Sequence, residues 1–176
     1  GRGYLFAGTK GASVWSRPLP YMIGAAASVT EHLVGPDMVP RQAQLLGSTL
    51  YDFNLPGDET DVKMNFSSFA GSGTVTVERY ESSPDSATFA GTPPVNISQY
   101  HWFITQSGIT SFTTEVRFNL TRFSGGIQHP RTISIYSRPN RGSGVFNVLS
   151  TIFDSTSNEL RATVSSFSEF ILGSND

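Results

Sequence analysis

The sequence predicts an all-β fold, an antiparallel β-sandwich of about nine strands. Short apolar or alternating runs recur from Ser48 onward, and clusters of Gly, Pro, Asn and Ser separate them. No amphipathic helical repeat lies between these runs, which favours a sandwich over a parallel α/β fold. The composition agrees with a β-rich chain, since only 15% of the residues are charged and Phe and Gly are abundant.

Residues 1–46 differ from the rest and are predicted to be an extended N-terminal segment. Tyr4 to Ala7 and Ala12 to Trp15 are candidates for short strands. The stretch 21–29 is apolar on every side but too short for a bilayer span, which needs about 20 such residues. We interpret it as a buried strand or as a segment that docks onto its own or a neighbouring sheet. Residues 47–176 form the predicted sandwich module.

The regular part has an immunoglobulin-like or jelly-roll-like rhythm. Residues 99–105 form the run richest in large aromatic side chains and are predicted to be the central strand, with Trp102 buried. In a second run, Val116, Phe118 and Leu120 alternate with polar residues and are expected to face the core. The nine predicted strands are 48–55, 62–66, 74–80, 99–105, 112–120, 132–138, 145–151, 160–165 and 167–172.

The stretch from Leu160 to Gly173 is predicted to supply the last two strands. Its first half alternates strictly, with Leu160, Ala162 and Val164 on one side. Its second half is too apolar for a solvent-facing ribbon, so Phe167 and Phe170 are expected to close the core.

Bulk properties restrict the class of protein. A chain of 176 residues is enough for one domain, and its net charge of −2 gives no electrostatic footprint for nucleic acid or an anionic membrane. The absence of cysteine excludes disulfides and thiolate metal sites. The sequence contains no run that predicts membrane insertion. Because it begins Gly-Arg-Gly without an initiator methionine, we expect a piece of a longer protein.

Three acidic residues form the candidate metal site. Asp58, Glu59 and Asp61 follow Pro56 and Gly57, so they are predicted to share a loop. Calcium takes oxygen ligands from loops of this kind. The full alternating calcium-loop pattern is missing, so a solvated turn is the preferred interpretation and calcium the alternative. No other cofactor is predicted.

Trp15 and Tyr21 are the candidate ligand-binding residues. They lie outside the regular strands, where a flat ring can meet the CH groups of a sugar. Catalytic residues are not predicted, because the three histidines are scattered and no Gly-x-Ser-x-Gly elbow occurs. The chain is therefore predicted not to be an enzyme.

Five strand signatures carry a family resemblance. They are Gly-Thr-Val-Thr-Val-Glu-Arg-Tyr at 73–80, Tyr-His-Trp-Phe-Ile at 100–104, Phe-Thr-Thr-Glu-Val-Arg-Phe at 112–118, Ile-Ser-Ile-Tyr-Ser-Arg at 133–138 and Ser-Ser-Phe-Ser-Glu-Phe-Ile-Leu-Gly-Ser at 165–174. Together they resemble a module near the carboxyl end of large secreted proteins of Bacteroidota and related phyla, which are substrates of the type IX secretion system. The resemblance covers about residues 48–174.

This resemblance implies an extracellular or cell-surface, non-catalytic β-sandwich, and it carries over no functional residues. Asp85-Ser86-Ala87 and Asp154-Ser155-Thr156 are similar to the short motif that Bacteroidota use for O-glycans. Ser86 and Ser155 are therefore the candidate glycosylation sites, and both fall in predicted loops.

Three functions remain open at this point. The first is a structural or adhesive surface module whose partners are other domains of the same secreted protein. The second is a self-assembling filament or surface-layer subunit, in which the N-terminal segment of one copy adds a strand to another. The third is a carbohydrate-binding accessory domain of a secreted hydrolase, with glycans as partners.

Overall fold

A computed structural model of the chain describes residues 4–8, 14–18, 41–56, 58–84, 86–123 and 127–175, with backbone only for 4–8, 14–18, 55 and 58. The chain divides into two compact units, 1–35 and 36–176.

The first unit contains a short antiparallel hairpin of strands β1, Tyr4–Gly8, and β2, Val14–Pro18. Strand β1 confirms the first strand candidate, and β2 begins two residues later than the second. The apolar stretch 21–29 lies outside the described residues, so its docking stays a prediction.

In the second unit the described residues form one large, mostly antiparallel sheet. The all-β prediction is confirmed, whereas the sandwich of nine strands is not, because the strands connect into this single sheet. Its strands are β3 Arg41–Gln44, β4 Leu50–Leu55, β5 Asp58–Tyr80, β6 Thr88–Phe89, β7 Asn96–Asn119, β8 Ile133–Arg138, β9 Val145–Val148, β10 Ile152–Asp154, β11 Glu159–Val164 and β12 Glu169–Ser174.

Strands β5 and β7 organise this sheet, and each is much longer than predicted. Strand β5 joins two predicted strands, and so does β7. The glycine-rich stretch 71–73 precedes the predicted strand 74–80, where a cluster of Gly and Ser indicates a loop. It is instead a set of β-bulges within continuous pairing between β5 and β7. A bulge and a loop use the same residue types, so local sequence does not separate them.

The long strand pair folds over at these bulges. Gly71 and Gly108 adopt left-handed backbone angles, with φ of 93° and 82°. Trp102 and Phe118 both belong to β7 and would lie roughly 50 Å apart on a straight strand, yet their ring centroids are 4.7 Å apart. The Trp102 indole N–H also donates to the Thr60 carbonyl over 2.7 Å. The two halves of the sheet therefore face each other.

Strand β7 is central, as predicted for its first half. One of its edges pairs with β5 along most of its length, and the other pairs with β11 and then with β12. Strands β8, β9 and β6 continue outward from β12, with β6 parallel to β9. Strands β3 and β4 pair with the outer edge of β5, so the sheet includes residues before the predicted boundary at residue 47.

The core lies between the two facing halves. Trp102 is fully buried, and Val116, Phe118 and Leu120 face inward as predicted. Phe170 is buried, while Phe167 is half-buried against the core. The last strand extends beyond its predicted end at residue 172, because β12 continues to Ser174. A Cβ at Gly173 would lie 2.7 Å from the Pro94 ring, so this strand needs glycine there.

Candidate functional site

The first charged cluster lies at the start of β5, where the sequence predicts a solvated turn with calcium as the alternative. Asp61 is buried and has a left-handed backbone with φ of 61°. Its carboxylate contacts the Arg79 guanidinium, and its other oxygen lies 3.3 Å from Arg122 Nε. Arg122 also contacts the Glu59 carboxylate. The Asn54 amide oxygen accepts a 2.7 Å hydrogen bond from the Asp61 N–H, which fixes the backbone.

Burial shifts both members of the central pair toward their neutral forms. Desolvation raises the pKa of Asp61 to about 7, against the opposing Arg122 charge, and Glu59 raises it further. Desolvation likewise lowers the pKa of Arg79 to about 10. The Arg79 guanidinium lies 4.6 Å from the centroid of the Tyr100 ring, a cation–π contact that offsets part of this cost.

This geometry corrects the expected loop. Glu59 and Asp61 belong to a strand, and arginine side chains occupy the oxygens that calcium would need. Across the described residues no group of three or more acidic, histidine or cysteine side chains is arranged to hold a metal ion. The side chain of Asp58 lies outside the described set. The calcium alternative therefore gains no support from the described carboxylates.

The second charged cluster was not foreseen from the sequence. Arg138 on β8 and Glu169 on β12 form a buried bidentate pair, with N–O distances of 2.8 and 3.0 Å. The Gly142 N–H donates to the same carboxylate over 2.7 Å. The Arg138 guanidinium also lies 4.5 Å from the centroid of the Phe146 ring. The one sequence signal was Glu169 within an apolar run, since a charge there needs a buried partner.

A surface groove of about 450 Å³ lies beside the bend of β7. Three segments line it: residues 103–106 and 109–112 of β7, the turn 139–141 after β8, and the connection 165–168 between β11 and β12. Small ligands bind in concave sites of roughly 300–1,000 Å³. The groove is therefore large enough for a small ligand, and it is formed by segments that the sequence predicts as separate strands and turns.

Arg141 stands at the rim of this groove and is held in place by three neighbours. Its Nη2 donates to the Tyr80 hydroxyl over 2.8 Å, and its Nη1 lies 3.6 Å from the Glu78 carboxylate. Its guanidinium carbon lies 5.3 Å from the centroid of the Phe103 ring. Tyr80 in turn stacks on His101 at 4.9 Å. This arrangement fixes a cation beside an aromatic ring.

The predicted ligand-binding and glycosylation residues do not meet at one site. Trp15 lies on β2 and only its backbone is described, while Tyr21 falls outside the described residues. Ser86 and Ser155 are exposed. Ser86 also has a left-handed backbone, and its carbonyl accepts a 3.3 Å hydrogen bond from Arg138. Both serines are reachable, and their modification stays a prediction.

Comparisons with known proteins add no assignment: no family model, no curated protein and no solved structure matches this chain. Among the described residues there is also no helix with the length and apolar character needed to cross a membrane.

Proposed function

We propose that this chain is a non-catalytic structural or adhesive β-module of a secreted or cell-surface bacterial protein. One observation carries the proposal: the buried charged groups are used to hold strands together. Arg79 on β5 engages Asp61 on the facing half of the same strand, and Arg138 joins β8 to β12 through Glu169. Asp61 and Glu169 are both buried, so neither carboxylate is placed to take a proton from a bound substrate.

A third set of ion pairs supports the same role on the outer face of the sheet. Lys63 on β5 donates to Glu159 on β11 over 3.0 Å, and Arg161 reaches both Glu159 and Asp154. The three acidic and three basic side chains of this face include Glu115 and Arg117, and their charges balance. Lys63, Arg117 and Arg161 lie directly opposite one another on β5, β7 and β11, so the carboxylates offset a repulsion between like charges. The charged groups on this face therefore contact one another within the sheet, which supports a structural role.

The extracellular location rests on the composition and on the five strand signatures. Immunolabelling of intact and permeabilised cells that express the natural protein tests it, with a cytoplasmic protein as control. We expect equal labelling before and after permeabilisation, together with loss of the label after protease treatment of intact cells. Labelling only after permeabilisation would contradict the proposed location.

Self-assembly is the second candidate, and the separate hairpin unit favours it. Strands β1 and β2 belong to a unit distinct from the large sheet, so a neighbouring copy is a candidate partner for that unit. Sedimentation velocity over a wide concentration range would compare the full chain with a chain that begins at residue 36. Assembly predicts larger species for the full chain alone, and a monomer at every concentration would remove this candidate.

A further inference from the structure

The groove beside the bend of β7 has the chemistry of a sugar site. Its apolar surface comes from Phe103 and Phe167, which are both half-buried. Phe167 stacks on Phe112, which also lines the groove, with ring centroids 4.2 Å apart. A ring held by stacking offers a flat surface to the CH groups of a pyranose ring at little entropic cost.

Hydroxyl groups surround these rings. Thr105 and Ser111 on β7 and Ser165 and Ser166 on the facing connection are all exposed, and their side chains make no hydrogen bond within the described part of the chain. Each can donate one hydrogen bond and accept two. Sugar hydroxyls have the same dual capacity, so the walls of the groove complement an oligosaccharide without adding charge.

The backbone on this side of the groove is less suited to an added peptide strand. The Ile104 N–H already donates to the Ser168 carbonyl over 2.8 Å, and the Ile109 N–H donates to the Gln106 side-chain oxygen over 3.0 Å. Strand addition depends on open backbone donors and acceptors along an edge. With these two donors used, and with the bulges of the bend nearby, the groove favours side-chain recognition of a ligand.

We propose that this groove binds an oligosaccharide, with its sugar rings against Phe103 and Phe167 and its hydroxyl groups on the serine and threonine walls. Arg141 is the one charged side chain among the described lining residues. The Glu78 carboxylate lies 3.6 Å from it and offsets its charge, so the groove suits neutral sugars better than uronic-acid residues. This inference adds a ligand class to the proposed adhesive role and rests on that role only for its location.

Calorimetric titration of the full chain with xylohexaose, cellohexaose, mannohexaose and hexagalacturonate, together with an array of neutral and acidic glycans, tests the site. Two variants probe the groove: Phe103→Ala removes a ring, and Ser166→Ile fills the space. Each is expected to weaken binding about tenfold or more, since a lost ring contact or a steric block costs at least ~1.4 kcal/mol. Ser155→Ile is the matched control, because it makes the same change at an exposed serine on the β10–β11 turn.

Thermal unfolding checks that all three variants fold, and amide chemical shifts identify the surface that the sugar touches. Shifts confined to residues 103–112, 139–141 and 165–168 would support the proposal. Blank binding to every glycan, or binding that both groove variants leave unchanged, would overturn it. Chemical-shift changes in these segments that appear with an extended peptide but with no glycan would overturn it as well. None of these negative results bears on surface labelling, so the structural role is tested separately.

Discussion

Arg79 contacts Asp61 in the interior of the folded sheet. Both side chains are almost fully buried, at 2% and 4% exposure. Taking a charge out of water costs several kcal/mol, and the attraction within the pair does not always repay it. The raised pKa of Asp61, about 7, indicates that here burial outweighs the attraction to Arg122. The pair should therefore make stability depend on pH near neutrality.

We predict that the stability advantage of the native chain over Asp61→Asn falls as the pH rises from 4.5 to 7.5. Because the folded pKa of Asp61 lies above its unfolded value of 3.8, the folded state keeps a proton that the unfolded state has lost. The stabilisation that protonated Asp61 provides is complete below the unfolded pKa of this group. It is lost as the pH rises through the folded pKa. The expected change is a few kcal/mol, since each pKa unit is worth about 1.4 kcal/mol. Asparagine tolerates the left-handed backbone at this position.

Denaturant unfolding at several pH values measures this difference, and Asp154→Asn is the control with the opposite sign. A backbone hydrogen bond from Thr156 lowers the pKa of Asp154, so its contribution is present at neutral pH and is lost as the pH falls. An advantage of the native chain over Asp61→Asn that grows toward neutral pH would show that the ion pair dominates instead.

At the scale of elements, the fold depends on the bend shared by β5 and β7. A Cβ at Gly73 would lie 2.1 Å from the Ser107 carbonyl oxygen, which is backbone and cannot move aside alone. The same approach occurs at Gly108, where a Cβ would lie 2.4 Å from the Ser72 oxygen. Because glycine has no Cβ, the two backbones can approach this closely, and β5 and β7 bend together while they stay paired.

We predict that Gly73→Ala lowers the free energy of unfolding by about 2 kcal/mol or more, because the added methyl group must open the bend. Gly47→Ala is the matched control, since nothing lies within 4 Å of a Cβ at Gly47 and its backbone is not left-handed. Urea unfolding of both variants measures the effect. Equal stability of the two variants would show that the bend relaxes at no cost.

Local pattern predicted most of the long strands but not how they are joined. The stretches Val116 to Leu120 and Leu160 to Val164 each have one buried face. Such a face produces an alternation of apolar and polar residues that is visible in the local sequence. Strand β3 reads Arg-Gln-Ala-Gln and has no such signal, because its pairing with β5 alone makes it a strand. The strand propensity of these four residues carries no information about the pairing with β5.

The charged clusters and the groove were harder to predict for the same reason. The acidic residues at the start of β5 were recognised as a group, but their partners Arg79 and Arg122 come from distant parts of the chain. Arg138 and Glu169 meet only because β8 and β12 are neighbours in the sheet. A single sequence shows which residues carry charge, whereas pairing between remote strands decides which of them meet.

At the scale of the whole molecule, β12 connects the two sides of the sheet, because it lies between β7 and β8. Its residues Phe170, Ile171 and Leu172 are buried, and Glu169 binds Arg138. Burying three large apolar side chains contributes about 5–9 kcal/mol in total, at roughly 1.5–3 kcal/mol each. That is comparable with the roughly 5–15 kcal/mol by which a domain is stable.

We therefore predict that a chain ending at residue 168 does not fold cooperatively, whereas a chain ending at residue 174 does. The shorter chain loses the strand that β7 and β8 share, and it leaves Arg138 buried without its carboxylate partner. In a Trp15→Phe background, emission from Trp102 reports on the core, since this ring packs against Phe118 and Phe118 packs against Phe170. The shorter chain should show red-shifted emission and no unfolding transition. A blue-shifted spectrum with a sharp transition would mean that the remaining strands form the core by themselves, and β12 would then be an addition to the fold rather than its closure.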